Sequence, residues 1–248
     1  NKEYVAVMLL GKVTDTQDTT GTVLEEHPVE VTEEQVKEAV LSFTGEYMQV
    51  PPMYSALKVN GKKLCDLARA GVTVERQARP VQLYSIEIIK MELPRVCMRV
   101  RCSKGTYIRT LCQDIGEKLS CGACMESLLR TKVSEFCVQD ALRLSEIEER
   151  VQKAAGQTQS EQWNAEMFDF IYAVDSVFLQ YKKAVICKEW NKLLYNGNRM
   201  KKDMFVSYQK DWEQQKVRIY DEEGRFIGIY EYSEIHGDYK PVKLFMEA

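Results

Sequence analysis

The chain has 248 residues, of which 45% are hydrophobic and 29% are charged, with 34 Lys and Arg side chains against 37 Asp and Glu. Its longest apolar run, residues 4–10, is far shorter than the roughly 20 residues that a membrane-spanning helix needs, which excludes such a helix. This length and composition predict a soluble protein with one large domain or two small ones. Eight cysteines at irregular spacings are typical of reduced thiols, so we expect a cytoplasmic protein.

The charges are unevenly distributed along the chain. Residues 49–79 carry six basic against two acidic side chains, residues 95–132 carry eight against three, and residues 181–218 carry ten against four. Residues 1–48, in contrast, carry three basic and ten acidic side chains. Phosphate contacts need clustered Lys and Arg, and one face of an acidic protein can still be basic. Ordinary solvated surface is the alternative interpretation of these charge runs.

Hydrophobic spacing predicts the first elements of the chain. The apolar run of residues 4–10 predicts a buried strand, and a capping-box pattern at Thr32 is followed by the apolar spacing of an amphipathic helix that Gly45 ends. Alternation at Tyr84, Ile86 and Ile88 predicts a further strand. Between helix and strand, prolines at both ends bracket a segment rich in Lys and Arg.

A strand, a tight turn and a helix are predicted around residues 96–119. Alternation from Val96 to Cys102 gives one buried and one basic face, and the apolar stripe that begins at Ile108 predicts a helix. Between them, Tyr107 and Arg109 can project from the end of the sheet into one cleft. There a guanidinium can pair with a carboxylate or phosphate, and a Tyr can stack on a base. A structural ion pair beside a partly buried Tyr explains these two residues equally well.

The last hundred residues are predicted to be mostly short elements. Ser145 begins a second capping-box pattern, and the helix that it starts is predicted to give way to a loop at residues 156–160. A short helix is predicted at residues 189–195. Strands at residues 217–220 and 226–230 flank a hairpin turn, and Leu244 and Phe245 can add one more strand. These elements predict a small β-rich barrel after about residue 179, appended to a larger α/β body.

Cys121 and Cys124 have the spacing of half a zinc site or of a redox pair. A closed zinc site needs four ligands, but the sequence has only two histidines, His27 and His236, and no second cysteine pair of this spacing. A coincidence near the end of a helix is the better interpretation. We therefore predict that the protein holds no metal.

Several blocks in the first 131 residues form a pattern that is more specific than any single motif. They are Lys2-Glu3-Tyr4, Thr14-Asp15-Thr16-Gln17-Asp18, Gln49-Val50-Pro51-Pro52-Met53-Tyr54-Ser55-Ala56-Leu57-Lys58, Cys102-Ser103-Lys104-Gly105-Thr106-Tyr107-Ile108-Arg109-Thr110, Asp114-Ile115-Gly116 and Leu128-Leu129-Arg130-Thr131. In this order the blocks resemble the bacterial TruB family of tRNA pseudouridine synthases.

The resemblance implies an α/β (α+β) fold with a mixed central sheet. It makes residues 1–178 a pseudouridine synthase catalytic domain and residues 179–248 a PUA-like RNA-binding barrel. Residues 49–80 resemble the thumb that such enzymes lay against the T stem-loop of tRNA, where cations bind phosphates and release counterions. The cations that the resemblance assigns to substrate binding are Lys58, Lys62, Lys63, Arg69, Arg79 and Lys104, and Arg76 adds to the charge of the thumb.

The implied reaction converts the T-loop uridine at position 55 of tRNA to pseudouridine, without a metal, an organic cofactor, a membrane or an obligate protein partner. The uridine has to leave its stacked loop and enter a pocket. By resemblance, Tyr4 contacts the base and is the candidate for removing the C5 proton, while Tyr107 and Leu128 line the pocket. Arg109 is expected to hold the catalytic aspartate in its ionised form.

The nucleophilic aspartate of the family lies in a Gly-Thr-Leu-Asp-type motif upstream of the Lys-x-Tyr block, and this sequence contains no such motif. Asp15 and Asp18 match a different motif and are not assigned as the nucleophile. The sequence therefore resembles an N-terminally truncated enzyme, and we expect the chain alone to be inactive. Two alternatives remain: a non-catalytic tRNA-binding protein or RNA chaperone, and a zinc or redox protein built on the cysteine pair.

Overall fold

The computed structural model describes residues 1–59, 61–157 and 168–245, with the backbone alone at residues 155–157. The chain divides into two compact units, Asn1–Ala141 and Leu142–Ala248. The domain boundary after residue 178 stays a prediction.

The first unit is built on one large sheet and two small hairpins. All the described strand pairs of the large sheet are antiparallel, so this part of the chain does not show the mixed sheet that the resemblance implies. Its strands are β1 (Lys2–Leu10), β2 (Lys12–Thr14), β3 (Val23–Glu26), β4 (Gly45–Gln49), β5 (Lys58–Val59), β6 (Lys62–Lys63), β7 (Arg79–Glu92), β8 (Arg95–Cys102), β9 (Ala123–Val133) and β10 (Phe136–Cys137). The large sheet has the order β10-β9-β1-β8-β7-β4, so that β1 lies between β8 and β9. The small hairpins are β2-β3 and β5-β6.

Helices cover one face of the large sheet. They are α1 (Glu33–Leu41) and α3 (Ile108–Lys118), while the short α2 (Leu64–Arg69) lies within residues 49–80, which the resemblance predicts to be the thumb. The core beneath them contains alternate residues of the strands, such as Met8 and Met98, together with apolar residues of α1 and α3 such as Val40 and Leu111. This arrangement confirms the predicted buried and basic faces of residues 96–102, because the even-numbered residues are completely buried and the odd-numbered ones are not.

Local predictions in this unit are confirmed with two exceptions. The first is the end of α1, which lies at Leu41 and not at Gly45, the residue that begins β4. Thr32 forms the capping box at the start of α1, and α3 begins at Ile108 as its apolar stripe predicts. The second concerns Tyr84, which is predicted to share a strand face with Ile86 but is 46% exposed whereas Ile86 is buried. The pairing between β7 and β8 has an irregularity between Leu83 and Ser85, which moves Tyr84 to the other face.

The second unit contains a smaller four-stranded sheet. Its elements are α4 (Leu144–Gln157), β11 (Lys182–Val185), α5 (Asn191–Tyr195), β12 (Lys216–Tyr220), β13 (Phe226–Ser233) and β14 (Asp238–Leu244). The sheet order is β11-β12-β13-β14, with β11 parallel to β12 and the other pairs antiparallel. These elements confirm the predicted helix at 189–195 and the hairpin, and the last strand begins before Leu244 and ends there.

A closed barrel is not shown by this sheet, because β11 and β14 are both edge strands among the residues described. The core of the unit combines aliphatic and aromatic residues, and Tyr230 and Tyr239 are completely buried.

The predicted start of α4 is wrong. The backbone N–H of Arg143 donates to Glu146 Oε2 at 2.7 Å, and the helix already includes Leu144 and Ser145. Glu146 therefore caps the helix from within its first turn, and the hydroxyl of Ser145 is not needed. The predicted loop is also wrong at residues 156–157, which are helical, and its remainder at residues 158–160 lies outside the described residues.

Candidate functional site

The turn between β8 and α3 is shaped by a glycine and held by a side chain from β4. Gly105 has φ of +86°, a conformation that other residues rarely adopt. Tyr107 precedes the first turn of α3 and makes no capping bond with its own side chain. Instead, Gln49 Oε1 accepts from the Tyr107 N–H at 2.8 Å, and Gln49 Nε2 donates to the Tyr107 carbonyl at 3.0 Å. The turn is thus fixed by an amide that is 1% exposed.

Arg109 follows Tyr107 by two residues, in the first turn of α3, and forms an ion pair with Asp18. Its Nη1 lies 3.1 Å from Asp18 Oδ2, and the two side chains are 33% and 15% exposed. The carbonyl of Thr16 accepts a longer bond of 3.4 Å from the same nitrogen. Among the residues described, Asp18 is the carboxylate paired with Arg109.

The loop that carries Asp18 is joined to both α3 and β9. Thr110 Oγ1 donates to Gln17 Oε1 at 2.8 Å, and the N–H of Met125 donates to the Gln17 carbonyl at 2.9 Å. Asp18 itself accepts bonds from Thr16 and Thr20. Burial opposes ionisation of Asp18, but the Thr20 and Thr16 bonds and the charge of Arg109 outweigh it, so that its pKa is lowered.

Sequence reasoning missed Asp18 as the partner of Arg109. The signal for an ordered carboxylate was present, because Thr16 and Thr20 flank Asp18 at the two-residue spacing of local side-chain bonds. Nothing in that spacing identifies an arginine so far along the chain.

Tyr4 and Leu128 lie on neighbouring strands of the large sheet. Tyr4 on β1 pairs with Arg130 on β9, and Ala6 pairs with Leu128, so the three side chains Tyr4, Leu128 and Arg130 share one face. Leu128 is 43% exposed. The pKa of Tyr4 is raised, first by burial and then by Cys102, while Arg130 opposes the shift. An uncharged phenol, an exposed leucine and a cation are therefore neighbours.

The predicted substrate-binding cations occupy two different places. Arg79 and Lys104 line a cavity of about 330 Å³ together with Gln49 and Tyr107. A wider depression, of about 500 Å³, is lined by Lys58, Lys62 and Lys63. Neither of these cavities is lined by Tyr4 or Leu128.

The thumb cations are exposed and mostly free of acidic partners. In the described part of the chain, Lys58, Lys62, Lys63 and Arg79 form no ion pair, and Arg69 lies 3.8 Å from Asp66. Arg76 is tied differently, because its Nη1 donates to the Pro51 carbonyl at 3.0 Å. Unpaired surface cations are available for an anionic ligand.

All eight cysteines are free thiols, and Cys121 and Cys124 are both buried. Within the residues that the structure describes, no group of three or more His, Cys, Asp or Glu side chains could hold a metal ion. No helix in that part of the chain is long and apolar enough to cross a membrane.

Two family models match the chain in succession. The model described as TruB family pseudouridylate synthase, N-terminal domain, matches residues 1–108. The model described as tRNA pseudouridylate synthase B C-terminal domain matches residues 109–179.

Curated relatives extend the similarity over most of the chain. The tRNA pseudouridine synthase B of Lachnoclostridium phytofermentans is 47% identical over 218 residues, which are 84% of this chain and 67% of the relative. The protein of the same name from Clostridium kluyveri is 38% identical over 245 residues, which are 99% of this chain and 78% of the relative.

Solved structures show the same fold at low identity. A chain of a Cbf5-Nop10-Gar1 complex matches with a TM-score of 0.64 at 22% identity, and a chain of an H/ACA RNP bound to a substrate RNA matches with the same score at 18%. These matches cover 100% and 99% of this chain, which spans 65% and 66% of the solved chains.

Proposed function

The chain belongs to the TruB family of pseudouridylate synthases, and from this premise we propose that it serves to isomerise the T-loop uridine at position 55 of tRNA. Its family consists of RNA isomerases, and its relatives are named tRNA pseudouridine synthase B. One observation carries the proposal: the turn that holds Tyr107 also holds Arg109 in an ion pair with Asp18. In the family pattern this turn carries the aromatic that lines the base pocket and the cation that holds the catalytic aspartate ionised.

The reaction breaks the bond between N1 of uracil and C1′ of the ribose and forms a bond between C5 and C1′. C5 loses a proton and N1 gains one, so the product is an isomer of the substrate. We assign the contact with the base, and removal of the C5 proton, to the phenol of Tyr4. The raised pKa of Tyr4 keeps the phenol uncharged at neutral pH, so its own proton first passes to water, and the phenolate that Arg130 opposite it favours then takes the C5 proton.

Tyr107 and Leu128 are assigned to the walls of the pocket that receives the flipped base. A flipped base is held by stacking on apolar or aromatic surfaces and by hydrogen bonds at its edge. Arg109 is assigned to the catalytic aspartate of the family. A guanidinium has several N–H donors, so Arg109 can keep Asp18 on Nη1 and present other donors to a second carboxylate.

We assign the thumb, residues 49–80, to the T stem-loop of tRNA. The support is its set of exposed cations that lack acidic partners among the described residues. Lys58, Lys62 and Lys63 would contact phosphates, as would Arg69, while Arg79 and Lys104 would do so beside Tyr107. Residues 179–248 are proposed to form the PUA-like RNA-binding part of a two-domain protein, and the free thiols support a cytoplasmic location.

We propose further that the 248 residues alone do not turn over, because they contain no Gly-Thr-Leu-Asp sequence. The test is tritium release from a T-arm transcript labelled at C5 of uridine. It compares this chain with a chimera in which a segment that carries the family's Gly-Thr-Leu-Asp-type motif precedes it. We expect release from the chimera only.

The outcomes separate the parts of the proposal. Release by the chain alone would contradict its inactivity, and absence of release from the chimera would contradict the assignment as a synthase. In a second transcript, cytidine replaces the T-loop uridine and the other uridines keep their label. We expect the chimera to release no tritium from it, and as much release as from the original transcript would contradict the T-loop assignment.

A second function, binding of tRNA without catalysis, is favoured by one observation. The thumb lysines are exposed and form no ion pair in the described structure, and their contact with phosphates does not need a catalytic aspartate. For the 248-residue chain this predicts salt-dependent binding of T-arm RNA in the absence of turnover. A chain that does not bind T-arm RNA would exclude this second function, whereas the chimera decides the first.

A further inference from the structure

Gln49 connects the base of the thumb to the turn that carries Tyr107. It is the last residue of β4, directly opposite Arg79 in the pairing with β7, so the thumb leaves and re-enters the sheet beside it. Its side chain is 1% exposed and bonds to both the N–H and the carbonyl of Tyr107, at 2.8 Å and 3.0 Å. One amide thus fixes the main chain of a residue that lies 58 positions away.

Only a side chain with both an acceptor and a donor can make these two bonds. Gln49 Nε2 also donates to the hydroxyl of Tyr47, and that hydroxyl interacts with the carboxyl of Asp114 on α3. The oxygen of the amide is therefore used by Tyr107, and both hydrogens of the nitrogen have acceptors. This set of partners permits one orientation of the amide.

The turn has a bond of its own before Tyr107, since Thr106 Oγ1 donates to the Ser103 carbonyl at 3.1 Å, but Tyr107 itself depends on other partners. Tyr107 has no side-chain capping bond, and its carbonyl also accepts the first helical bond, from Leu111 N–H at 3.1 Å. Residues 103–106 before it contain a glycine whose added Cβ would have no neighbour within 4 Å. The Gln49 amide therefore bonds to the main chain of Tyr107 on both sides of its Cα, at the N–H and at the carbonyl.

The thumb itself is closed just beyond Gln49. Arg76 Nη1 donates to the Pro51 carbonyl at 3.0 Å, two residues after Gln49, and so ties the returning part of the thumb to its start. Gln49, Arg79, Lys104 and Tyr107 then surround the same cavity of about 330 Å³. The bond at Pro51 and the two bonds of Gln49 thus connect the returning part of the thumb to the main chain of Tyr107.

We propose that Gln49 is a positioning residue for the reaction: its amide holds the main chain of Tyr107 at the base of the thumb, so that the ring is placed to meet the flipped base. This inference rests on the proposed function, because only a synthase that flips the target uridine has a base for Tyr107 to contact. Gln49 itself touches neither base nor reacting atoms in this assignment.

The test uses the 248-residue chain and a T stem-loop RNA in which 2-aminopurine replaces the nucleotide next to the target uridine. Its fluorescence rises when the target base leaves the stack, so affinity and flipping are measured in one titration. The variants are Gln49→Leu, which removes both bonds, and Gln49→Glu, which keeps the shape. Gln113→Leu, on the exposed side of α3, is the matched control.

For Gln49→Leu we expect affinity within about twofold of wild type, since the phosphate contacts of the thumb remain. The fluorescence change should fall roughly fivefold or more, as two buried bonds are lost. Gln49→Glu should behave like Gln49→Leu at about pH 8 and recover towards wild type at about pH 5.5, because a neutral carboxyl again offers a donor and an acceptor. The wild-type protein is measured at each pH as the reference, because Asp114 titrates in this range. Tyr47, Arg79 and Lys104 also surround the amide, and the same reference accounts for them.

A wild-type fluorescence change in Gln49→Leu would overturn the proposal, and so would equal losses of affinity and fluorescence change, which indicate a merely structural role. If Gln49→Leu does not melt cooperatively, the two pH values of Gln49→Glu decide. If wild type itself shows no flipping, the proposed function fails, and exchange of the Tyr107 amide hydrogen, which needs no RNA, decides the role of Gln49. We expect that exchange to be about tenfold faster in Gln49→Leu, and an unchanged rate would overturn the role.

Discussion

Arg109 Nη1 lies 3.1 Å from Asp18 Oδ2, and this ion pair joins the first turn of α3 to the loop that follows β2. Two blocks of the family pattern are thereby in direct contact. The pair is only partly exposed, so it is screened less than a surface pair but has not lost all its hydration.

The pair should contribute measurably to stability. We expect a double-mutant cycle of Arg109→Ala and Asp18→Ala to give a coupling of about 1 kcal/mol in urea unfolding. Because the pKa of Asp18 is lowered by folding, this contribution is present at neutral pH and lost as the pH falls through that lowered pKa. The exposed pair Lys90–Glu92, at 2.7 Å, is the control, and an equal coupling there would contradict the role of burial.

Arg109 should also matter for turnover. In the chimera that carries the aspartate-bearing segment, we expect Arg109→Ala to lower the rate of tritium release by roughly 100-fold, since a preorganised cation beside a nucleophilic carboxylate is lost. Affinity for the transcript should change little. Near-normal turnover of Arg109→Ala would contradict the assigned pairing with the catalytic aspartate.

Asp114 should make the protein less stable as the pH rises. Burial, followed by the charge of Glu117, raises the pKa of Asp114 to about 6, although a bond from Tyr47 opposes the shift. The stabilisation is complete below the unfolded pKa of about 3.9 and is lost as the pH rises through about 6. We expect Asp114→Asn to flatten this dependence and to gain on the order of 1 kcal/mol above pH 6, a value reduced for partial exposure.

Thermal unfolding across pH 4 to 8 measures this effect. Glu117→Gln is the matched control, because it removes a smaller cause of the same shift and should flatten the dependence only in part. A pH profile of Asp114→Asn that matches wild type would contradict the assignment.

The thumb lysines should determine how binding depends on salt. We expect each of Lys58→Ala, Lys62→Ala and Lys63→Ala to reduce the slope of log K against log salt by about 1 for a T-arm RNA. Lys12→Ala is the control, because Lys12 is paired with Glu26 at 3.0 Å outside the thumb. If the slope with all three lysines replaced equals that of wild type, the thumb does not contact phosphates.

Gly116 permits a close approach between α3 and the start of β9. A Cβ at this position would lie 2.2 Å from the backbone nitrogen of Ala123 and 2.4 Å from the Gly122 carbonyl carbon. We expect Gly116→Ala to destabilise the protein by about 2 kcal/mol or more, despite the better helix propensity of alanine. Gln113→Ala, on the exposed side of the same helix, should cost about 0.5 kcal/mol or less in the same urea titration.

The sequence predicted those features that depend on local spacing. The capping box at Thr32, the alternation of residues 96–102 and the start of α3 all follow from contacts within one element. The start of α4 was missed because Glu146 caps from inside the helix, and Tyr84 was misplaced because an irregularity in strand pairing leaves no pattern in the sequence.

The site was predictable as a set of residues but not as a set of contacts. Family blocks pointed to Tyr107 and Arg109, yet their partners Gln49 and Asp18 come from β4 and from the loop after β2. These contacts join residues that are far apart in the chain. The type of a hydrogen-bonding side chain does not reveal which distant residue it will contact. The open sheet of the second unit depends likewise on which strand edges meet.

The central place of β1 has a consequence for how the protein is made. Its neighbours β8 and β9 end at Cys102 and Val133, so during translation the first strand leaves the ribosome long before either of its partners exists. Pairings of such large sequence separation form slowly, and an apolar strand that waits for them is exposed to aggregation or to capture by a chaperone. The central pairings of the first unit cannot be completed until the chain has been synthesised as far as Val133.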